Sequence, residues 1–420
     1  MNTSYTPPLP KAQNKKPKIN EKLYKTSLRF RLAKFISLVM FALFVVLMVA
    51  ANREELTLEN IRYLMRYLDA DANIYSYTSE YKTISYSADS EIAFGVYRGD
   101  FVVADSNSLN IYASSGSSVQ QSSSFIANPI ILPSNKHLLV YDLGGNSFSV
   151  YNTFSRINNG SLDYPITGGV NSDSGIFALI SKTSEYRSAV FVFDEEGKKV
   201  SQILKNKLIM AIDLSRDGKR LLIASAYNDP QSGDFLTEIM ICDPLTGEEF
   251  VNTTLYDTMP LKAQFSKSGF YLLTDKALLF CDNSAVTKNR YDFEFNYPTH
   301  VTMTSDALFA AFSESVLGDT QKVIIFSDSG SEMGEYIADG KIVRLIYDSN
   351  DVYTLTDSNI QRYDIASARS IKYKVDSNIV DMVLARSDTL YLCYLSHANA
   401  ITTNDALSFE QNENDVVKAK

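Results

Sequence analysis

From about residue 81 onward the chain repeats itself every 37 to 49 residues, and this period limits the fold more than any other feature of the sequence. The clearest unit runs from Ile209 to Phe250, IMAIDLSRDGKRLLIASAYNDPQSGDFLTEIMICDPLTGEEF. It holds a first strand, a turn at Asp217-Gly218, a second strand RLLIASA, a loop, a third strand EIMICD, a turn PLTG and a fourth strand. In the third strand an apolar residue precedes Tyr, Phe or Cys, and a small polar or acidic residue usually follows. These landmarks are Tyr112, Tyr151, Phe193, Cys242, Cys281, Phe326, Tyr363 and Phe409, spaced 39, 42, 49, 39, 45, 37 and 46 residues apart. The turn between first and second strands recurs in step, at Gly99-Asp100, Ser134-Asn135, Ser174-Gly175, Asp217-Gly218, Ser268-Gly269, Ser305-Asp306, Asn350-Asp351 and Ser387-Asp388. Gly, Asn and Asp suit such turns because they tolerate positive φ.

Two independent landmarks in register predict an all-β, eight-bladed β-propeller over residues 82–412, with seven blades as the alternative. A ring of that kind must close, because an open sheet edge invites pairing with another chain. The segment after Phe409, EQNENDVVKAK, is mostly polar and offers no fourth strand for the last blade. The alternating run Lys82–Ser87, KTISYS, is a strand with no blade of its own, and it is expected to fill that gap. Residues 413–420 are expected to be a disordered tail.

The unit SRDGKRLLIAS followed by ICDPLTGE resembles the repeats of the WD40-like and quinoprotein-like propeller superfamily, over roughly residues 82 to 412. The whole layout also resembles an uncharacterised family of membrane-anchored propellers of Gram-positive bacteria, a domain of unknown function. That resemblance implies a location and no activity. Likeness to quinoprotein dehydrogenases would imply tryptophans in blade-docking motifs and a cofactor held partly by tryptophan. The chain has no Trp and no adjacent cysteines, so quinone-dependent chemistry is not expected.

Ahead of the repeat, residues 1–34 carry nine Lys and Arg against Glu21 alone, a net +8, so the rest of the chain carries -17. An acidic body argues against nucleic acid as a partner. Phe35–Ala51, FISLVMFALFVVLMVAA, is a run of 17 residues with Ser37 as its only clearly polar side chain. With Leu32, Ala33 and a snorkelling Lys34 it is long enough for a hydrocarbon core of ~30 Å. The reading is a basic tail at 1–34, disordered in part, a transmembrane helix at 35–51 embedded in the lipid bilayer, and the propeller outside the cytoplasm. An uncleaved signal-anchor is favoured over a signal peptide cleaved after Ala51, because the apolar run exceeds the usual ~7 to 15 residues. Asn52 and Glu55 have capping-box spacing, and Leu58, Ile61, Leu64, Met65 and Leu68 recur at helical spacing, which predicts a short amphipathic stalk helix at 52–71.

No catalytic, cofactor or metal motif stands out. Cys242 and Cys281 occupy the position filled elsewhere by Tyr or Phe, so they read as packing residues, as does Cys393 in TLYLCYL. His137, His300 and His397 lie in different blades without ligand spacing, and the Asp105 and Asp348–Asp351 turns read as Asx turns. What remains is loop length. Connections between second and third strands are expanded at Lys182–Arg187, Asn228–Asp234, Glu314–Thr320 and His397–Asp405, and equivalent loops of a propeller emerge on one face. Tyr186, Arg187, Tyr227, Asp229, Leu317 and His397, in or beside those loops, are the candidate partner-binding residues. The function expected is a tethered binding or scaffold module for an envelope protein or surface polymer, without catalysis. The alternatives are an extracytoplasmic enzyme acting on glycan or a small metabolite, and a ligand sensor.

Overall fold

The computed structural model describes residues 21–51, 83–86, 91–113, 116–123, 125–152, 155–229, 231–294, 296–314, 320–375, 378–386, 389–403 and 417–418. The chain divides into two units, residues 1–69 and 70–420. In the first, a helix of 31 residues spans Glu21–Ala51, a stretch without Gly or Pro. It takes in the apolar run and continues back through the second half of the basic tail. Among the described residues no helix is long and apolar enough to cross a membrane. The apolar run extends past Phe44, the last residue of this helix whose side chain is described. The expected stalk at 52–71 and the landmark Phe409 lie outside the described residues.

The second unit consists of eight antiparallel sheets. Six take four consecutive strands each, in chain order from the inside out, a seventh adds a fifth, non-consecutive strand at its outer edge, and neighbouring first strands touch, for example those of blades one and two and those of blades eight and one. The eighth sheet joins Asp381–Arg386, Thr389–Cys393 and His397–Thr402 to Thr83–Ser85. Thr83, Ile84 and Ser85 pair with Asn399, Ala398 and His397, so the first strand of the domain completes its last blade, as the unassigned run KTISYS suggested. Eight blades replace the seven-bladed alternative.

Blades are held to one another by side chains rather than by backbone bonds. Second strands such as Phe177–Ser181 and Leu138–Asp142 are buried on both faces, because each lies between two neighbouring sheets. Eight apolar clusters fill the eight gaps between blades. The one between blades eight and one gathers Ile84, Tyr86, Phe94, Phe101, Tyr391 and Cys393, so the ring is sealed by packing as firmly there as elsewhere. Cys242, Cys281 and Cys393 are buried and free, and burial pushes the Cys242 thiol up to about 12 and the Cys281 thiol up to about 11.

Turn chemistry accounts for the acidic residue that follows the landmark. Asp194, Asp243 and Asp282 each accept backbone N–H bonds from the turn they open, and those bonds hold Asp243 and Asp282 below the usual carboxylate range. Asp105 caps its turn in the same way, at 2.8 Å from the Asn107 nitrogen. Arg98 and Gly99 both have positive φ, 52° and 86°, the geometry of a two-residue hairpin that matches strand twist.

Three expectations about the C-terminal end are corrected. The third strand of blade eight is His397–Thr402 and not the segment around Phe409. Most of the expanded loop placed at His397–Asp405 is therefore strand, His397–Thr402, joined to its predecessor by a tight turn in which Tyr394 N–H bonds the His397 carbonyl. HANAIT carries little β-propensity, and its strand exists because Thr389–Cys393 and Thr83–Ser85 flank it on both edges. Within the expected disordered tail, Val417 and Lys418 pair with Ser370 and Arg369, because the outer strand of blade seven presents an unpaired edge.

A candidate binding face with an ionisable arc at its centre

Strand direction alternates through each blade, so loops between second and third strands share one face with the connections between blades. The tight turns take the other face. The loops at Lys182–Arg187 and Asn228–Asp234 fall on the first face, as do Glu314 and Thr320, the two ends of the third, whose interior lies outside the described residues. Exposed apolar side chains gather there too. Among the described residues, seven large apolar side chains of the propeller are more than half exposed, and of these Phe125, Phe235, Tyr256, Tyr297 and Leu395 lie on the loop face. Val286 lies on the turn face and Phe250 on an outer strand. Phe235 and Tyr256 are neighbours at one edge of blade four, where the Asp257 N–H bonds the Phe235 carbonyl at 2.9 Å. A polar surface around such a concentration marks a docking site more often than chance would place it.

At the loop-face end of the central strands, ionisable residues stand side by side on consecutive blades. Lys262, His300 and Arg344 pair with Leu273, Ala311 and Leu355, and Asp381 pairs with Cys393. Each of these partners is the fifth residue of its second strand, so the four side chains start at one height on blades five to eight. A β-bulge precedes each of the first three, at Leu261, Thr299 and Val343, which re-aims the residue after it. Arg344 grips Asp381 with two N–H groups, Nε at 2.7 Å and Nη2 on the second oxygen. His300 shares a 3.1 Å hydrogen bond with Thr302 Oγ1, and burial together with the positive Lys262 and Arg344 lowers its pKa, so the ring is neutral. Burial also lowers the Lys262 pKa, against the pull of Asp213, yet water reaches this side chain and it keeps its charge. Among the described residues its ammonium makes no hydrogen bond or ion pair.

On the first strand of blade four, Asp213 Oδ2 accepts the Phe265 N–H at 2.6 Å. Burial pushes its carboxyl up to about 7, against that hydrogen bond, another from Leu214, and Lys262. The folded protein therefore holds a proton that the unfolded chain releases near its ordinary 3.8. Stability contributed by this group declines as pH rises from about 4 to about 7 and levels off above, since the native state binds more protons throughout that window. In Asp213→Asn, which keeps the oxygen that accepts Phe265 N–H, that decline should vanish. Melting curves of the variant and the parent are expected to diverge by a few degrees between pH 4 and pH 7, in favour of the variant. Parallel curves across that range would show that the carboxyl is not protonated in the native state.

The residues singled out in the sequence are distributed less evenly than expected. Arg187 is exposed and Tyr186 half-buried in the blade-three loop, whose turn is held by Thr183. Tyr227 is half-buried, with the Lys207 ammonium 4.0 Å from its ring centroid. That lysine also bonds the buried Glu238 at 2.9 Å, so Tyr227 supports an internal network. Asp229 spends its carboxylate on its own loop, accepting from Gln231 N at 2.9 Å and Ser232 Oγ at 3.2 Å. His397 stacks on Tyr394 at 4.4 Å, away from any expanded loop. Leu317 lies outside the described residues. The arc and the Phe235–Tyr256 pair were missed, because neither follows from local spacing; three first strands with a charged or imidazole residue two places after the strand start was the one available signal. Among the described residues no group of His, Cys, Asp and Glu is arranged to hold a metal ion.

Comparison with solved structures places the fold. BamB from Moraxella catarrhalis aligns with a TM-score of 0.52 at 14% identity, over 77% of this chain and 99% of its own. The Dos1 propeller aligns at 0.53 and 11% identity, over 77% of this chain and 94% of that one. The C-terminal WD40 domain of Sif2 aligns at 0.50 and 13%, over 78% and 99%. At these identities the likeness is one of fold alone. No curated protein matches the chain. Residues 71–402, most of the chain and nearly all of the ring just described, match the model of a family of unknown function (DUF5711), and the chain belongs to that family.

Proposed function

We propose that this propeller is a membrane-tethered binding module of the cell envelope that captures a protein partner on its loop face. The observation that carries this reading is the clustering, among the described residues, of five of the seven most exposed large apolar side chains on the face that also bears the expanded loops. A closed ring suits the role, since it leaves its loops free while its sheets have no long open edge. Tethering rests on the sequence, in which nine basic residues stand ahead of an apolar run. The test is crosslinking and pull-down of the full chain from its own membrane, preceded by protease treatment of intact cells stripped of their wall. Protease is expected to remove the propeller and spare the tail. A protected propeller, or a mature N-terminus at Asn52, would overturn the anchor.

The ionisable arc supports a second reading, an enzyme or sensor for a small metabolite or glycan, because a cleft with shifted pKa values is where chemistry is found. Isothermal titration of a glycan or metabolite panel separates the two. Tight binding of a small ligand with no protein captured favours the second.

A further inference from the structure

Resting on that docking face, we propose that its partner is an acidic protein segment, one carboxylate of which enters the axial mouth and pairs with Lys262. Charges in the arc settle the sign of what it takes. Arg344 is already met by Asp381 through two hydrogen bonds, and His300 is neutral with Thr302 beside it. Lys262 is attracted by Asp213 but, among the described residues, has no hydrogen-bond or ion-pair partner, and it stands at the loop-face end of the first strand of blade five. A water-exposed ammonium gains most from an anion that brings its own apolar cover, because water is then excluded from the pair. That cover has a counterpart in the side chains beside Lys262. The bulged residues immediately before Lys262 and Arg344 are Leu261 and Val343, exposed by 44% and 38%, so apolar and cationic side chains alternate around the mouth. Tyr297, in the connection leading to blade six, extends the apolar rim. A free inorganic anion would cover none of this rim, whereas a segment with an Asp or Glu between large apolar residues fills both the charge and the rim.

The probe is an array of short immobilised peptides, each with one Glu among Leu, Phe and Tyr, beside counterparts with Gln in its place, overlaid with the full chain. Glu peptides are expected to be retained roughly tenfold better than Gln peptides, the lower end of what close charge pairs contribute at interfaces. Lys262→Gln should erase that preference and Lys262→Arg should keep it, while the melting temperature stays unchanged, since Lys262 is exposed. Lys262→Glu should shift retention to peptides carrying Lys in place of Glu. Equal retention of Glu and Gln peptides, retention of no Glu peptide, or a preference that survives Lys262→Gln overturns the inference. Peptides retained without regard to charge but lost with Phe235→Ala and Tyr256→Ala would leave the docking face standing and remove only the carboxylate; indifference to both sets of changes removes both.

Discussion

A chain that begins at Asp89 is expected to melt roughly 10 °C below one that begins at Asp71, and to aggregate on warming. The difference is the strand Thr83–Ser85 with the residue that follows it. Ile84 is 1% exposed and Tyr86 8%, both in the cluster between blades eight and one. The Tyr86 hydroxyl lies within hydrogen-bond distance of the carbonyls of Tyr394, at 2.5 Å, and His397, at 2.7 Å. Losing two buried side chains of this size costs about 5 kcal/mol or more, and each kcal/mol lowers the melting point of a domain somewhat smaller than this one by ~2–4 °C. It also bares the edge of His397–Thr402, which becomes a template for another chain. In the full chain, Tyr86→Ala should reproduce a large part of the loss, about 3–5 kcal/mol. Equal melting of the two truncated chains would mean that the ring is closed by something else.

The second large effect concerns capture. Phe235→Ala with Tyr256→Ala should reduce recovery of the crosslinked partner by at least roughly thirtyfold, which corresponds to an anchor contribution of ~2 kcal/mol. Phe235 is 53% exposed and Tyr256 76%, so their removal leaves the core intact and stability should move by no more than about 0.5 kcal/mol per site. The matched control is Leu245→Ala with Val286→Ala, which removes the exposed apolar side chains of the tight turns on the opposite face. Recovery is expected to survive in the control. If the control loses the partner and the loop-face pair keeps it, the binding face has been assigned to the wrong side. Tyr227 is a poorer choice for this test than its exposure in the sequence pattern suggested, because truncating it also uncovers Lys207 and, through it, the buried Glu238. Arg187, exposed and outside such a network, remains a useful third site.

Much of the architecture was written locally. Seven of the eight turn dipeptides and seven of the eight aromatic or cysteine landmarks fall among the described residues and mark true second-strand starts and third-strand ends, because turn geometry and inter-blade packing each depend on one residue type at one place. The closing strand was legible for the opposite reason: KTISYS alternates like an edge strand yet belonged to no unit. Blade eight was misread at HANAIT, where Ala398 is fully buried although nothing in its local pattern says strand; two neighbouring strands impose that conformation from outside. Loop length on one face could be inferred from the repeat. Which side chains stand exposed on that face could not, and neither could the meeting of Lys262, His300, Arg344 and Asp381, which are 119 positions apart from first to last. Repeat period and turn chemistry are properties of the chain taken a few residues at a time, so the sequence by itself determined the blades and their number. The charged mouth arises only when ring closure and three β-bulges bring separate first strands to one height, and that convergence belongs to the tertiary structure alone.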